Sequence, residues 1–167
     1  MDSFTHLLLL CILLHYPFSH GHYLQYIEPN VIFTRASWEE NSHIVSLVFE
    51  PTASVLVYGD RERINQVIEN LLNNAVKFTE YGIITTTVEK NNHNNEVSVT
   101  VKDTGAGIDK DILPRLFMKY ATKSKQGTGL GLFISKGLVE AHGGRIEAYN
   151  NVDGPGAAFR FTISLVS

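Results

Sequence analysis

The stretch RERINQVIENLLNNAVKF, residues 61–78, constrains this chain most. Ile64, Val67, Ile68, Leu71, Leu72 and Ala75 recur at i, i+3, i+4 and i+7, which predicts an amphipathic helix with one buried stripe. Asp60 stands where an N-cap belongs, and Arg63 rather than Glu stands three residues on, so there is no capping box. The helix is expected to end between Thr79 and Gly82. Such a stripe must be covered by another layer, and the flanking text supplies strands. HIVSLVFE (43–50) and SVLVYGD (54–60) precede it, separated around Pro51. GIITTTVEK (82–90) and EVSVTVKD (96–103) follow it and flank NNHNN, which predicts a hairpin.

Further on, DTGAGIDKDILPRLF (103–117) reads as a glycine-broken loop leading into a short helix stopped by Pro114. ATKSKQGTG (121–129) has no apolar periodicity and reads as a mobile loop. GLFISKGLVEAHGG (131–144) predicts a second helix closed by Gly143 and Gly144. RIEAYNN (145–151) and AAFRFTISLV (157–166) predict two last strands around the turn NVDGPG. Strands with helices segregated to one face make a two-layer α+β sandwich, and the hairpins make much of its sheet antiparallel.

The chain divides at residue 44. Residues 44–167 read as one domain. Residues 1–43 form a segment of uncertain role, with an apolar run at 7–14 that is too short to span a bilayer, which needs about 20 residues. That run lacks the basic lead-in of a signal peptide. A membrane role is not expected, and a cytoplasmic protein is. A net charge of −3 gives no electrostatic reason to expect nucleic acid. Cys11 is the single cysteine, which rules out an intrachain disulfide and a cysteine zinc cluster. His6, His15, His20 and His22 show no metal-like spacing.

Four stretches carry chemistry. At about 100° per residue, Gln66, Asn70, Asn73, Asn74 and Lys77 fall on one stripe of the first helix, beside its apolar face. Asn competes for backbone hydrogen bonds and is a mediocre helix former, so three in one stripe need a reason. They form either a solvated face or a row of amide oxygens and a cation turned to a bound anion and its metal. Magnesium prefers such oxygen ligands and often shares substrate phosphates. In DTGAGID, Asp103 ends a strand before Gly105 and Gly107. This is an ordinary turn, or a carboxylate placed to accept a hydrogen bond from an amine. In GTGLGL, Gly127, Gly129 and Gly131 lead directly into a helix. Bare backbone N–H groups at the positive end of a helix dipole can hold an anion. LFMKYATKSKQ carries Lys119, Lys123 and Lys125, a surface charge run or a cover over phosphates.

Taken together, NQVIENLLNNAVKFT, DTGAGI, LFMKY and GTGLGL resemble the N, first glycine, F and second glycine boxes of the histidine-kinase catalytic domain, a relative of gyrase and Hsp90. All four occur in order between Ile44 and Val166. The resemblance implies a Bergerat sandwich that binds ATP and Mg²⁺. On it, Asn74 looks like the magnesium ligand and Asn70 like the second polar residue of its box. Lys77 looks like a phosphate contact, and Phe78 like the aromatic near adenine and ribose. Asp103 looks like the acceptor for the adenine amino group, with Gly105, Gly107 and Ile108 shaping that pocket. Gly127, Thr128, Gly129, Leu130, Gly131 and Leu132 match the second glycine box. Phe117 and Tyr120 match the F-box aromatics, and Lys123 the cation of the ATP lid. Ala157 departs from the family, which usually has a hydroxyl near the adenine there.

The implied activity is transfer of the ATP γ-phosphoryl group to a His on another chain, and indirectly to a response regulator. FSHGHYLQ around His20 does not match a phosphoacceptor motif, so the expected chain is a catalytic domain without its substrate domain. A silent ATP-dependent binding module, an anti-sigma-type serine kinase and a hydrolytic relative of gyrase are the alternatives. Position 70 separates the last two from the first. Those relatives carry Glu where this chain has Asn70, and an amide cannot take a proton at neutral pH.

Overall fold

The computed structural model describes residues 23–26, 31–38, 43–51, 56–121 and 128–165. Its strands are β1 (Tyr23–Tyr26), β2 (Val31–Trp38), β3 (His43–Pro51), β4 (Leu56–Gly59), β5 (Tyr81–Asn91), β6 (Glu96–Asp103), β7 (Ile146–Asn150) and β8 (Ala157–Ser164). Its helices are α1 (Arg61–Phe78) and α2 (Gly131–Ala141). The main sheet runs β2-β3-β5-β6-β8-β7, and β1 pairs with β4 in a separate ribbon. Every neighbouring pair in the main sheet is antiparallel except β3 and β5. A parallel pair needs a long crossover, and α1 is part of the one that supplies it.

The α+β sandwich is the expected one. The six apolar residues of the α1 stripe are all buried. They join Ile84 and Val88 of β5, Val97, Val99 and Val101 of β6, and Phe159, Phe161 and Ile163 of β8 in one core. Along β5, β6 and β8 these residues sit at alternate positions, as one face of a sheet requires. Leu71 is wholly enclosed, and burying such a side chain stabilises the fold by about 1.5–3 kcal/mol.

The ends of the helices are tied locally. Asp60 caps α1 by accepting from the Arg63 N–H at 3.2 Å. The Asp60 N–H in turn donates to Nε2 of His142 at 3.0 Å, while Nδ1 of His142 lies 2.7 Å from the Leu138 carbonyl. A neutral ring protonated on Nδ1 satisfies both contacts, so His142 joins the end of α2 to the start of α1.

Two features depart from the sequence reading. β1 and β2 lie before residue 44 and were not expected. β2 shifts register between Phe33 and Ala36, which breaks the alternation that would have announced it. Pro114 does not stop a helix. It lies inside a single 3₁₀ turn, Leu113–Arg115, where an N-terminal position needs no N–H. Gln66, on the polar stripe, is paired within α1, where its side chain accepts from the Arg63 guanidinium at 3.2 Å. The apolar run 7–14 lies outside the described residues. No described helix is long and apolar enough to cross a membrane.

Candidate functional site

Between α1, the 103–112 segment and the start of α2 lies a cavity of about 440 Å³, within the usual range for small-ligand sites of about 300–1,000 Å³. Its wall is assembled from segments far apart in sequence. From α1 come Asn70, Asn73, Asn74, Lys77 and Phe78. Asp103 enters from the end of β6, with Gly107 and Ile108 beyond it. Thr128, Gly129, Gly131 and Leu132 come from the second glycine stretch. Spacing along one helix face explains the first group. Strand termination explains the second, because β6 ends at Asp103 and its side chain points to the helix-covered face.

Each end of the cavity has its own chemistry. Asp103 is almost wholly buried, and its Oδ1 accepts from the Gly105 N–H at 2.9 Å and the Ala157 N–H at 3.3 Å. Burial pushes its carboxyl above the ordinary value of 3.8, and the two backbone N–H groups partly oppose that rise. Among the described residues Oδ2 has no partner, which leaves one acceptor for a ligand donor. At the other end, Nδ2 of Asn70 donates to the Gly131 carbonyl at 3.4 Å and to Oγ of the enclosed Ser135 at 3.2 Å. Both amide hydrogens are thereby used, and the orientation leaves the amide oxygen as the remaining group. Lys77 Nζ lies 5.5 Å from the Phe78 ring centre, and Phe78 is about half exposed. The cavity wall therefore combines a carboxylate acceptor with the amide oxygens and a cation of α1.

Two of the proposed residues, Gly105 and Leu130, shape the site from behind rather than line it. Gly105 holds Asp103 through its N–H, and the Leu130 carbonyl accepts from the Ile134 N–H in the first turn of α2. Phe117 packs against the core, and Tyr120 is largely exposed, outside the cavity. Lys123, Lys125 and Gly127 lie outside the described residues. The sequence reading missed the apolar floor of Ile112, Leu116 and Phe159. Ile112 and Leu116 are four apart, a helical spacing that Pro114 concealed. Phe159 lies two residues after Ala157 on the same face of β8.

A mixed sheet with its two helices on one face, and a cavity between them that pairs a buried carboxylate with an Asn row, defines a Bergerat-type nucleotide-binding sandwich. The chain belongs to the family of histidine kinase-, DNA gyrase B- and HSP90-like ATPases, which matches residues 59–167. It is 43% identical over 119 residues to the sensor protein KdpD of Clostridium acetobutylicum, covering 68% of this chain and 13% of that protein. The catalytic domain of the histidine kinase ThkA superposes with a TM-score of 0.65 at 35% identity, covering 72% of this chain and 79% of that one. Full-length ShkA in complex with AMPPNP superposes with a TM-score of 0.65 at 30% identity, covering 74% of this chain and 26% of that one. The chain thus spans a small part of KdpD's length and about four fifths of the ThkA catalytic domain.

Proposed function

We propose that this chain binds ATP in the cavity and transfers its γ-phosphoryl group to a histidine of a phosphoacceptor domain on another chain, in a two-component phosphorelay that ends on a response regulator. The observation that carries this reading is the convergence of Asp103, the Asn70–Asn74–Lys77 row and the second glycine stretch on one cavity of nucleotide size. In this reading Asp103 accepts from the adenine amino group. Phe78 covers the base and ribose at the mouth. Lys77 and the backbone at the start of α2 neutralise the phosphates, and the family resemblance assigns Lys123 and Gly127 to the same task.

The donor set fits magnesium. It offers amide oxygens and no thiolate or imidazole, as a hard cation prefers. Asn74 would hold the ion, with the Asn70 oxygen turned by its two donated hydrogen bonds to the same end. When bound, the ion supplies charge neutralisation on the transferring phosphates. In the transfer, a neutral imidazole nitrogen of the acceptor forms a bond to phosphorus with its free lone pair. The bond from phosphorus to the β–γ bridging oxygen breaks, and ADP leaves with that electron pair. No base is needed to free the attacking lone pair, which suits an amide at position 70. ATP as donor supports a cytoplasmic location.

Incubating the chain with radiolabelled Mg·ATP and a separately prepared phosphoacceptor domain of a sensor kinase tests this reading. Acid-labile, base-stable label is expected on the added domain and none on the chain alone. Nucleotide binding without transfer to any acceptor domain would reduce the chain to a binding module.

A further inference from the structure

We infer that Asn150 is a positioning residue for base recognition, acting through the turn that follows Asp103. It is the last residue of β7, 42 positions beyond the residue it holds. Its Oδ1 accepts from the Ile108 N–H at 2.6 Å, and its Nδ2 donates to the Ile108 carbonyl at 2.8 Å. The side-chain amide thus pairs with a backbone residue as a neighbouring strand would. Among the described residues the Ile108 N–H and C=O meet no other partner. Both hydrogen bonds together require a group with one donor and one acceptor at amide spacing, which a carboxylate or a hydroxyl at that reach does not offer.

The next residue fixes the other end of the same turn. Nδ2 of Asn151 donates to the Asp103 carbonyl at 2.8 Å and to the Pro155 carbonyl at 2.7 Å. Between these anchors the Ala106 N–H donates to the Phe78 carbonyl at 3.1 Å. Two consecutive asparagines therefore hold residues 103 and 108, both of which line the cavity. Gly107 is pressed into this arrangement. Its φ is +75°, and a Cβ there would come within 2.9 Å of Oδ1 of Asn150. The turn is short and glycine-rich, so the placement of Ile108 in the cavity wall near Asp103 depends on the Asn150 pairing.

This inference rests on the cavity's being a nucleotide site, and the experiment separates the two. The full chain and its Asn150→Leu variant are titrated by calorimetry with Mg·ATP and with magnesium tripolyphosphate. Loss of two partly buried hydrogen bonds in the turn is expected to weaken ATP roughly tenfold. Tripolyphosphate, which never reaches the turn, should change by no more than about twofold. Hydrogen exchange of the nucleotide-free wild-type chain adds a measurement that needs no variant, and the Ile108 amide should be protected there. Unchanged ATP affinity in a folded Asn150→Leu chain, equal loss for both ligands, or a freely exchanging Ile108 amide would each overturn the inference. Failure of the wild-type chain to bind ATP would overturn the nucleotide reading and this inference with it.

Discussion

Asp103→Asn separates recognition from folding more sharply than any other single change. The replacement keeps an oxygen where Oδ1 accepts from Gly105 and Ala157, so the local backbone should hold. What changes is the other atom, because Oδ2 becomes an NH₂ group facing the cavity. Adenine then presents a donor to a donor. Losing a hydrogen bond to a charged group costs about 1.5–3 kcal/mol, and an unpaired buried donor adds about 1–3 kcal/mol. A loss of about 3 kcal/mol, or roughly 100-fold in ATP affinity, is expected at neutral pH. Inosine triphosphate carries a carbonyl in place of the amino group and should lose little or gain, because the new amide can donate to it. Stability should move the opposite way. Burial raises the Asp103 pKa, so the folded chain holds this proton at a higher pH than the unfolded chain does. Its contribution to stability is complete below 3.8 and falls as pH rises through the raised value. The variant should therefore melt near the wild-type temperature at low pH and above it at neutral pH. Calorimetric titration with the two nucleotides, paired with melting curves across pH, reads both effects. Equal losses for ATP and inosine triphosphate, or a variant less stable at pH 7, would refute the reasoning.

Other perturbations follow from the same contacts. ATP binding to the wild-type chain should weaken as pH falls through the raised Asp103 pKa, with release of one proton on binding below that pKa, whereas binding to Asp103→Asn should not show that step; isothermal titration in two buffers of different ionisation enthalpy measures the release. Gly129→Ala should destabilise the chain by about 1–3 kcal/mol, because φ at this position is +67° and a Cβ would come within 2.7 Å of the Tyr120 backbone. Thermal melting checks that loss, and ATP affinity should fall with it.

Much of the site was legible because its parts are local. The stripe of Asn70, Asn73, Asn74 and Lys77 follows from helical spacing, and the position of Asp103 from where an alternating strand meets glycine. The second glycine stretch announced the start of α2. What was not legible depends on register between distant strands. Asn150 reads as the end of a strand and Asn151 as the opening of a turn, and nothing near them in sequence points to residues 103 and 108. Their partners are fixed only when β7 pairs with β8 and β8 with β6. Those pairings bring Ala157 to Asn150 and Ala158 to Lys102, next to Asp103. The burial of Ser98 and Thr162 was hidden in the same way. They sit on the sheet face away from the helices, where alternation predicts exposure, yet both are buried. Arg145 donates to Oγ1 of Thr162 through its N–H and makes a two-armed ion pair with Glu96, so its side chain reaches across that face.

Position 70 gives chemistry and architecture the same answer. A carboxylate there would suit activation of water or a hydroxyl, and its absence argues for an acceptor that arrives with its own lone pair. The structure supplies an independent reason for an amide. The Asn70 side chain meets two oxygens across the helix interface, the Gly131 carbonyl and the Ser135 hydroxyl. A Glu in its place would bring a charge beside the Gly131 carbonyl with no hydrogen to offer it, and like-signed partial charges would push α2 away from α1. The amide instead donates to both. It ties the first turn of α2, where the glycine stretch ends, to the helix that carries Asn74 and Lys77. The residue that puts an amide in place of a carboxylate at position 70 is thus also the one that holds two cavity-lining elements together.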